Sequence, residues 1–268
     1  MKYTFITGST GGLGKAYAHE CARRGYNLFL TGTKEEKLSA LCVKLAKLFP
    51  NIKIIYKRCD LTSEEQRCEL VNFAKQNDIK INRFVANAGI DFEGPILEKT
   101  PDEILRVIKV NCEATIHMFN MLLIERDESK KFYTIVVSSL AGYFSMPQKA
   151  IYSASKAMLT NFFISMHEEL KEENVNVTIV CPGGMPTTQE MINSIESQGL
   201  SGKLSSTPME VVATKSLNLS QKNKAVYIPG WFNRFLKRVS MPFSRLFVAR
   251  KINGRWKKTR EKAKKLGN

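Results

Sequence analysis

Seven short apolar runs recur along residues 1–228, and stretches of helical periodicity separate each from the next. The runs are 3–7 (YTFIT), 26–31 (YNLFLT), 52–59 (IKIIYKRC), 82–86 (NRFVA), 132–138 (FYTIVVS), 175–181 (VNVTIVC) and 224–228 (KAVYI). They are almost continuously apolar rather than alternating, the pattern of strands covered on both faces. Helical patterns fall near 12–24, 34–48, 63–76, 101–125, 150–173 and 208–221, with helix starts at Thr62-Ser63-Glu64-Glu65 and Thr100-Pro101-Asp102-Glu103. Parallel strands need crossovers of about a dozen residues or more, and helices supply them. The alternation therefore predicts an α/β chain: one Rossmann-type, doubly wound parallel sheet of about seven strands.

Two segments break the rhythm. Residues 183–207, rich in Gly, Ser, Thr and Pro, read as a mobile loop. After Pro229-Gly230 the chain turns basic: residues 230–268 hold 13 Lys/Arg against Glu261 alone. The whole chain carries +16, so +12 of it sits in this tail. The expected division is a domain at 1–229 and a basic, amphipathic helical extension at 230–268. Charge confined to one end, with no recognition motif, argues against a nucleic-acid partner. No apolar run reads as long enough to span a bilayer, and the start is too short for a leader peptide. Six cysteines (21, 42, 59, 68, 112, 181) and three histidines lie scattered. Reduced thiols and no metal site are expected, in a cytoplasmic setting.

Directly after the first apolar run comes Thr7-Gly8-Ser9-Thr10-Gly11-Gly12-Leu13-Gly14. Glycines between a strand and a helix let the backbone approach a pyrophosphate at the helix N-terminus. Further along stand Asp60 in Cys-Asp-Leu-Thr, Asn87-Ala88-Gly89, Asn111, Ser139, Tyr152-x-x-x-Lys156, and Pro182-Gly183 with Thr187. Each alone has a plain structural reading: a helix-face pair, a cap, a turn.

In this order and spacing, with Ser139 13 residues before Tyr152, the chain resembles the short-chain dehydrogenase/reductase family over roughly residues 1–230. Its opening third looks most like the branch of 3-ketoacyl-CoA reductases and 17β-hydroxysteroid dehydrogenases. The resemblance implies an NAD(P)(H)-dependent oxidoreductase interconverting a secondary alcohol and a ketone. It assigns Tyr152 as general acid/base, Lys156 as the residue that lowers its pKa, Ser139 as the support of the substrate oxygen, and Asn111 as the anchor of a water. It places Gly8, Ser9, Thr10, Gly12, Leu13, Gly14, Thr33, Lys34, Asp60, Leu61, Asn87, Ala88, Gly89, Tyr152, Lys156, Pro182, Gly183 and Thr187 around the cofactor. The chemistry is coherent. A carbonyl receiving hydride develops negative charge and needs a proton donor and a hydrogen-bond donor. A free phenol near pKa 10 needs a cation to give up its proton at neutral pH.

Strand two ends Leu30-Thr31-Gly32-Thr33-Lys34 without the acid that would hold a ribose 2′-hydroxyl. NADP(H) is therefore expected over NAD(H), although the arginine common in the branch is replaced by Thr33. Ser139, Tyr143, Met146, Tyr152, Met185 and Met191 suggest an apolar substrate pocket, suited to a hydroxysteroid, a bile acid or a long acyl chain. The tail's aromatics among basic residues fit either a helix or dimer contact closing that pocket or an anionic membrane surface. A homodimer or homotetramer is implied by the resemblance. The rival reading is a non-catalytic dinucleotide-binding or membrane-associated module on the same fold.

Overall fold

The computed structural model describes residues 2–186, 192, 195 and 199–266. All seven expected strands form: β1 (Lys2–Ile6), β2 (Asn27–Gly32), β3 (Ile54–Arg58), β4 (Lys80–Ala86), β5 (Phe132–Val137), β6 (Val175–Val180) and β7 (Val226–Tyr227). They make one sheet in the order β3-β2-β1-β4-β5-β6-β7, and every neighbouring pair is parallel. The order reverses at β1, which pairs with β2 on one side and β4 on the other. Connections leave in opposite directions there, so a crevice opens beyond the strands' carboxyl ends.

Helices α1 (Gly12–Arg23), α2 (Glu35–Leu48) and Met209–Gln221 share a buried core on one face of the sheet. Tyr17 Oη and Ser216 Oγ, 2.7 Å apart, tie the first of these to the last. Helices α3 (Glu64–Gln76), α5 (Ala114–Ile124) and α6 (Ala150–Glu169) share the core on the other face. There Phe5 stacks between Phe29 and Phe84, with ring centroids 5.0 and 5.5 Å away. Each such fully buried side chain contributes about 1.5–3 kcal/mol. Both expected helix starts are realised. Ser63 Oγ accepts from Gln66 N, and Thr100 with Glu103 closes a capping box on α4 (Pro101–Ile108).

Three features depart from the sequence reading. First, α4 and α5 are joined by a π-turn, Lys109–Glu113, and the continuous Pro101–Ile124 stretch is long and apolar enough to cross a membrane by length and composition. Asp102, Glu103, Arg106, Lys109 and Glu113 hide that stretch in the sequence, and half of its apolar window is buried in this fold. Second, the segment read as a loop at 183–207 contains a helix, Gly199–Ser205. Third, the tail divides into two helices, Trp231–Ser240 and Arg245–Leu266, a break that the sequence reading does not place.

The first tail helix is stitched into the domain. Asn233 is fully buried; its Nδ2 donates to Ser205 O (2.9 Å) and Pro229 O (2.8 Å), and its Oδ1 accepts from Ser205 Oγ (2.9 Å). A Cβ on Gly183 would stand 2.6 Å from Ser205 O and 2.7 Å from Asn233 Nδ2. Only glycine admits this close approach of the segment after β6, the 199–205 helix and the tail.

Candidate active site

The glycine-rich turn sits at the carboxyl end of β1, where the crevice opens. Gly8 has φ +61°, and a Cβ there would meet Ala88 Cα at 2.9 Å. A Cβ on Gly14 would stand 2.1 Å from Gly8 O, which lets α1 pack directly against the turn. The N-cap of α1 is Gly11, which has no side chain to cap the helix. The helix's leading N–H groups therefore suit an anion. Thr10, Gly12 and the exposed Gly11 face this mouth with little side chain in the way. This turn fits the diphosphate of a dinucleotide.

Other residues that the resemblance places on the cofactor hold the turn from behind. Ser9 is fully buried, and both its N and Oγ donate to Thr31 O. Leu13 is buried in the core beneath α1. Asn87 Nδ2 donates to Thr7 O (3.3 Å) and Gly8 O (3.1 Å), while Thr7 Oγ1 accepts from the N–H groups of Asn87 and Ala88. The side chains of Ser9, Leu13 and Asn87 thus shape the cradle rather than line it.

The residues to which the resemblance assigns the reaction gather near the carboxyl ends of β4 and β5. Asn111, fully buried in the π-turn, accepts from Ile90 N (2.8 Å) and donates to Ile90 O and Ser155 Oγ (3.0 Å each). π-turns inside helices often mark functional sites, because the extra residue aims a side chain that an α-helix would turn away. Its amide locks the loop after β4 to α6. Ser139 caps the 3₁₀ turn Leu140–Tyr143 that follows β5, its Oγ accepting from Ala141 N (3.1 Å), and its hydroxyl acts to lower the pKa of the Tyr152 phenol. Lys156, one turn along α6, is buried and donates to Val137 O (2.9 Å), with Nζ 5.7 Å from the Tyr152 ring centre. A Cβ on Gly89 would come 3.1 Å from Lys156 Nζ and 3.4 Å from Asn111 Oδ1, so this glycine leaves both groups open to one space. Ser153 and Ser155 spend their hydroxyls on Ala150 O and Tyr152 O.

The electrostatics differ from the simple Tyr–Lys picture. Burial brings the Lys156 ammonium down to about 8. Burial also pushes the Tyr152 phenol up, opposed by its Ser139 hydrogen bond, with Asp91 adding to the rise and Lys149 counteracting it. The expected lowering of Tyr152 is therefore outweighed by desolvation in this structure. The charged neighbours felt at the phenol, Asp91 and Lys149, escape a motif-based reading because neither belongs to a motif.

At the cofactor's far edge, Asp60 Oδ1 accepts from Thr62 N and Oγ1, which holds its carboxyl below the usual range. Ser63, not Asp60, caps α3. Leu61 is buried; its carbonyl accepts from Arg67 Nη1 at 2.6 Å, and Arg67 also pairs with Glu113 of the π-turn. Thr33 and Lys34 lie past β2, where Arg58 Nε donates to Thr33 O (3.1 Å). Arg58 went unnoticed in the sequence because only the parallel register of β2 and β3 brings it beside Thr33.

On the substrate side, Met146 is partly buried on the approach to α6. Tyr143, expected in the substrate pocket, is partly buried after β5. Its hydroxyl is buried beside Cys181 without an oxygen or nitrogen partner, and burial raises its pKa. Lys237 of the tail lies 4.1 Å above its ring. Met185 is partly buried and packs against the core shared by α1 and α2. Thr187 and Met191 lie outside the described residues. A separate cavity of about 580 Å³ lies at the opposite, amino-terminal end of the sheet, against Lys2, Ile79 and Phe132, remote from Tyr152.

A family model described as short chain dehydrogenase matches residues 2–198. The chain belongs to the short-chain dehydrogenase family. Members of this family are oxidoreductases acting on CH–OH groups with NAD(P). The chain is 29% identical over 182 residues to a very-long-chain 3-oxoacyl-CoA reductase of Coccidioides immitis, covering 66% of this chain and 52% of that protein. It thus spans about half the length of that relative. It is 28% identical over 240 residues to dehydrogenase/reductase SDR family member 7B of Xenopus laevis, covering 84% and 73% of the two chains. A diacetyl reductase [(S)-acetoin forming] of Staphylococcus epidermidis is 30% identical over 203 residues, covering 74% and 76%. These relatives agree with the ketoacyl-reductase and hydroxysteroid-dehydrogenase branch. Among solved structures, a 7beta-hydroxysteroid dehydrogenase shares the fold with a TM-score of 0.84 at 20% identity, covering 94% of this chain and 96% of that one. A short-chain dehydrogenase from Sphingobium yanoikuyae in complex with NADPH gives a TM-score of 0.75 at 23% identity, covering 85% and 88%.

Proposed function

We propose that this enzyme interconverts a secondary alcohol and a ketone on a bulky apolar substrate, of hydroxysteroid, bile-acid or 3-ketoacyl type, with Tyr152 as general acid/base. The gathering of Tyr152, buried Lys156 with Nζ 5.7 Å from the Tyr152 ring centre, and Asn111 around the bare backbone of Gly89, with Ser139 acting on the phenol, carries this reading. A bound nicotinamide would supply or accept the hydride. Tyr152 would give its proton to the developing alkoxide, or take one from the alcohol, and Ser139 would hold the same oxygen. Lys156, close to neutral pH in its affinity for protons, would favour the phenolate form and meet the ribose. Asn111 would keep the loop after β4 clear of both. The intact set favours an enzyme over a non-catalytic binding module.

NADP(H) is the favoured cofactor. The end of β2 carries no acid, and Lys34 with Arg58 offers cations for a 2′-phosphate. The tail's first helix, through Asn233 and Lys237, supports its reading as a wall of the substrate side. A homodimer or homotetramer is favoured by exposed apolar residues on the long helices, Ile108, Ile124, Met158 and Ile164 among them. The tail's own exposed Trp231, Phe235, Phe243 and Phe247, set among basic residues, favour a second reading of that segment: peripheral contact with an anionic membrane from the cytoplasmic side. Full-length protein that fails to float with anionic liposomes at low salt removes that second reading.

The test is NAD(P)H oxidation against a keto bile acid, a ketosteroid and a 3-ketoacyl thioester. We expect turnover of at least one, faster with NADPH, and a loss of about 100-fold or more in kcat for Tyr152→Phe. Turnover that survives this substitution refutes the assignment.

A further inference from the structure

The loop after β4 carries a charged cluster that belongs to none of the family's motifs. Lys149, the residue just before α6, places Nζ 2.9 Å from Asp91 Oδ2 and 2.7 Å from Glu93 Oε2. Lys149 and Asp91 are mostly shielded, with side-chain exposures of 17% and 20%, whereas Glu93 lies nearer the surface at 43%. An ion pair shielded to this degree is screened less than a surface pair, and removing one partner leaves an uncompensated charge. A backbone bond from Gly94 N to Gln148 O (2.8 Å) runs beside it, and Gln148 is held at φ +67°. A left-handed glutamine is costly and persists only where its surroundings impose it. The loop is thus fastened twice: by Asn111 at Ile90, and by Lys149 and Gln148 at Asp91 and Gly94.

The ion pair stands beside the phenol of Tyr152, Asp91 reaching it through Lys149. Lys149 Nζ lies 5.9 Å from the Tyr152 ring centre, on the same helix end as the reacting groups. Asp91 keeps its second oxygen, Oδ1, buried without a partner, so its charge is only half neutralised by hydrogen bonding. The ionisable and charged groups around Tyr152 are Asp91 and, through Lys149, Glu93 from the loop after β4; Ser139 donates or accepts from the turn after β5; Lys149 and Lys156 come from its own helix region, with Cys112 and Cys181 behind Lys156.

We propose that Asp91 and Lys149 are positioning residues for Tyr152: their ion pair fixes the loop that walls the phenol and balances the charge around its hydroxyl, so that removing either partner shifts proton transfer in opposite directions. This rests on Tyr152 being the acid/base of the reaction. Asp91 disfavours the phenolate and Lys149 favours it, in keeping with the directions in which they act on the phenol. Loss of Lys149 leaves two carboxylates beside the phenol. Loss of the Asp91 charge leaves a cation. A merely structural link would give two variants damaged in the same sense.

The experiment follows kcat/KM for alcohol oxidation against pH, with NADP⁺ and whichever of cyclohexanol, ursodeoxycholate or a 3-hydroxyacyl thioester turns over fastest. Oxidation needs the phenolate, so the rate rises through the ionisation of Tyr152. Lys149→Met is expected to move that rise to higher pH and to lower the rate about tenfold at a fixed pH below it. Asp91→Asn is expected to move the rise to lower pH, with a rate at the same pH equal to or above that of the parent. The double variant should return the midpoint close to the parent's, and Lys149→Arg should keep it. Circular dichroism and thermal melts establish that each variant is folded. Folded single variants whose midpoints do not move, or move the same way, overturn the proposal. A Tyr152→Phe protein that keeps its activity overturns the functional reading instead, so the two failures are distinguishable.

Discussion

Gly142 offers the sharpest test of how this site is held together. It sits in the 3₁₀ turn after β5, three residues past Ser139, and its N–H donates to Ser139 O at 3.0 Å. A Cβ placed on it would lie 2.8 Å from Lys156 C, 2.9 Å from Lys156 O and 3.0 Å from Ala157 N. All three are backbone atoms of α6, so no side chain can swing aside. Ordinary contact begins near 3.4 Å. The turn and the helix must therefore part by about half an ångström in Gly142→Ala, in a region packed at near-crystalline density. Overpacking of this kind costs about 2 kcal/mol, which for a chain of this size lowers Tm by about 5 °C. The larger consequence is functional. The same separation moves Ser139 relative to Tyr152 and Lys156, and misplacement on this scale lowers kcat/KM by about ten- to a hundredfold. Gly25→Ala is the control. Gly25 has φ +75° but no atom within 4 Å of a Cβ, so alanine there costs about 1 kcal/mol of backbone strain and leaves kcat/KM unchanged. Calorimetry and steady-state kinetics on the two variants separate the effects. Gly142→Ala with unaltered kcat/KM would refute the claim that the turn and α6 are held in contact by backbone packing.

Three further outcomes are expected. Asn111→Leu should cost about 3 kcal/mol in urea unfolding, because Ile90 N and O and Ser155 Oγ all lose a buried partner, and kcat should fall with it. Glu20 is held down to about 2 by Arg23 and Arg24. Its folded-state value lies below the unfolded one, so its stabilisation, about 2 kcal/mol, is present above pH 4.5 and is lost as pH falls towards about 2; the Tm gap between parent and Glu20→Gln, measured from pH 7 down to pH 2, should close across that window. Arg58→Ala should weaken NADPH binding about tenfold in a fluorescence titration and leave NADH binding unchanged.

What could be read from the residues follows from how local the signal is. The seven strands and their covering helices were legible because a both-faces-buried strand writes its pattern into five or six consecutive residues. The turn at Gly8–Gly14 was legible because backbone crowding demands glycine at fixed intervals. Less legible were roles decided by register and distance. Arg58 joins Thr33 only through the β2–β3 pairing, and Asp91 meets Lys149 only where the loop after β4 packs against the start of α6. Ser9 and Asn87 stand in cofactor motifs, yet their side chains serve the turn's own hydrogen bonds. Tyr143 gives no sign in the sequence that Lys237 of the tail stands over its ring. The helix at 199–205 is short and full of Gly and Ser, so its propensity is poor; its place is set by Asn233 and the bare backbone of Gly183.

Protein synthesis runs from β1 towards the tail, and the stitch at Asn233 gives that direction a consequence. The glycine turn and its Asn87 buttress are complete within the first third of the chain, and Ser139, Tyr152 and Lys156 join them soon after. The amide that fastens Ser205 to Pro229, against the bare backbone of Gly183, is made only after the last strand has emerged. A nascent chain can therefore assemble most of its sheet and its reacting groups while the segment beyond β6 still lacks its fastening. A message cut just before codon 233 would yield a nearly whole sheet in which Ser205 and Pro229 have lost the amide that joins them.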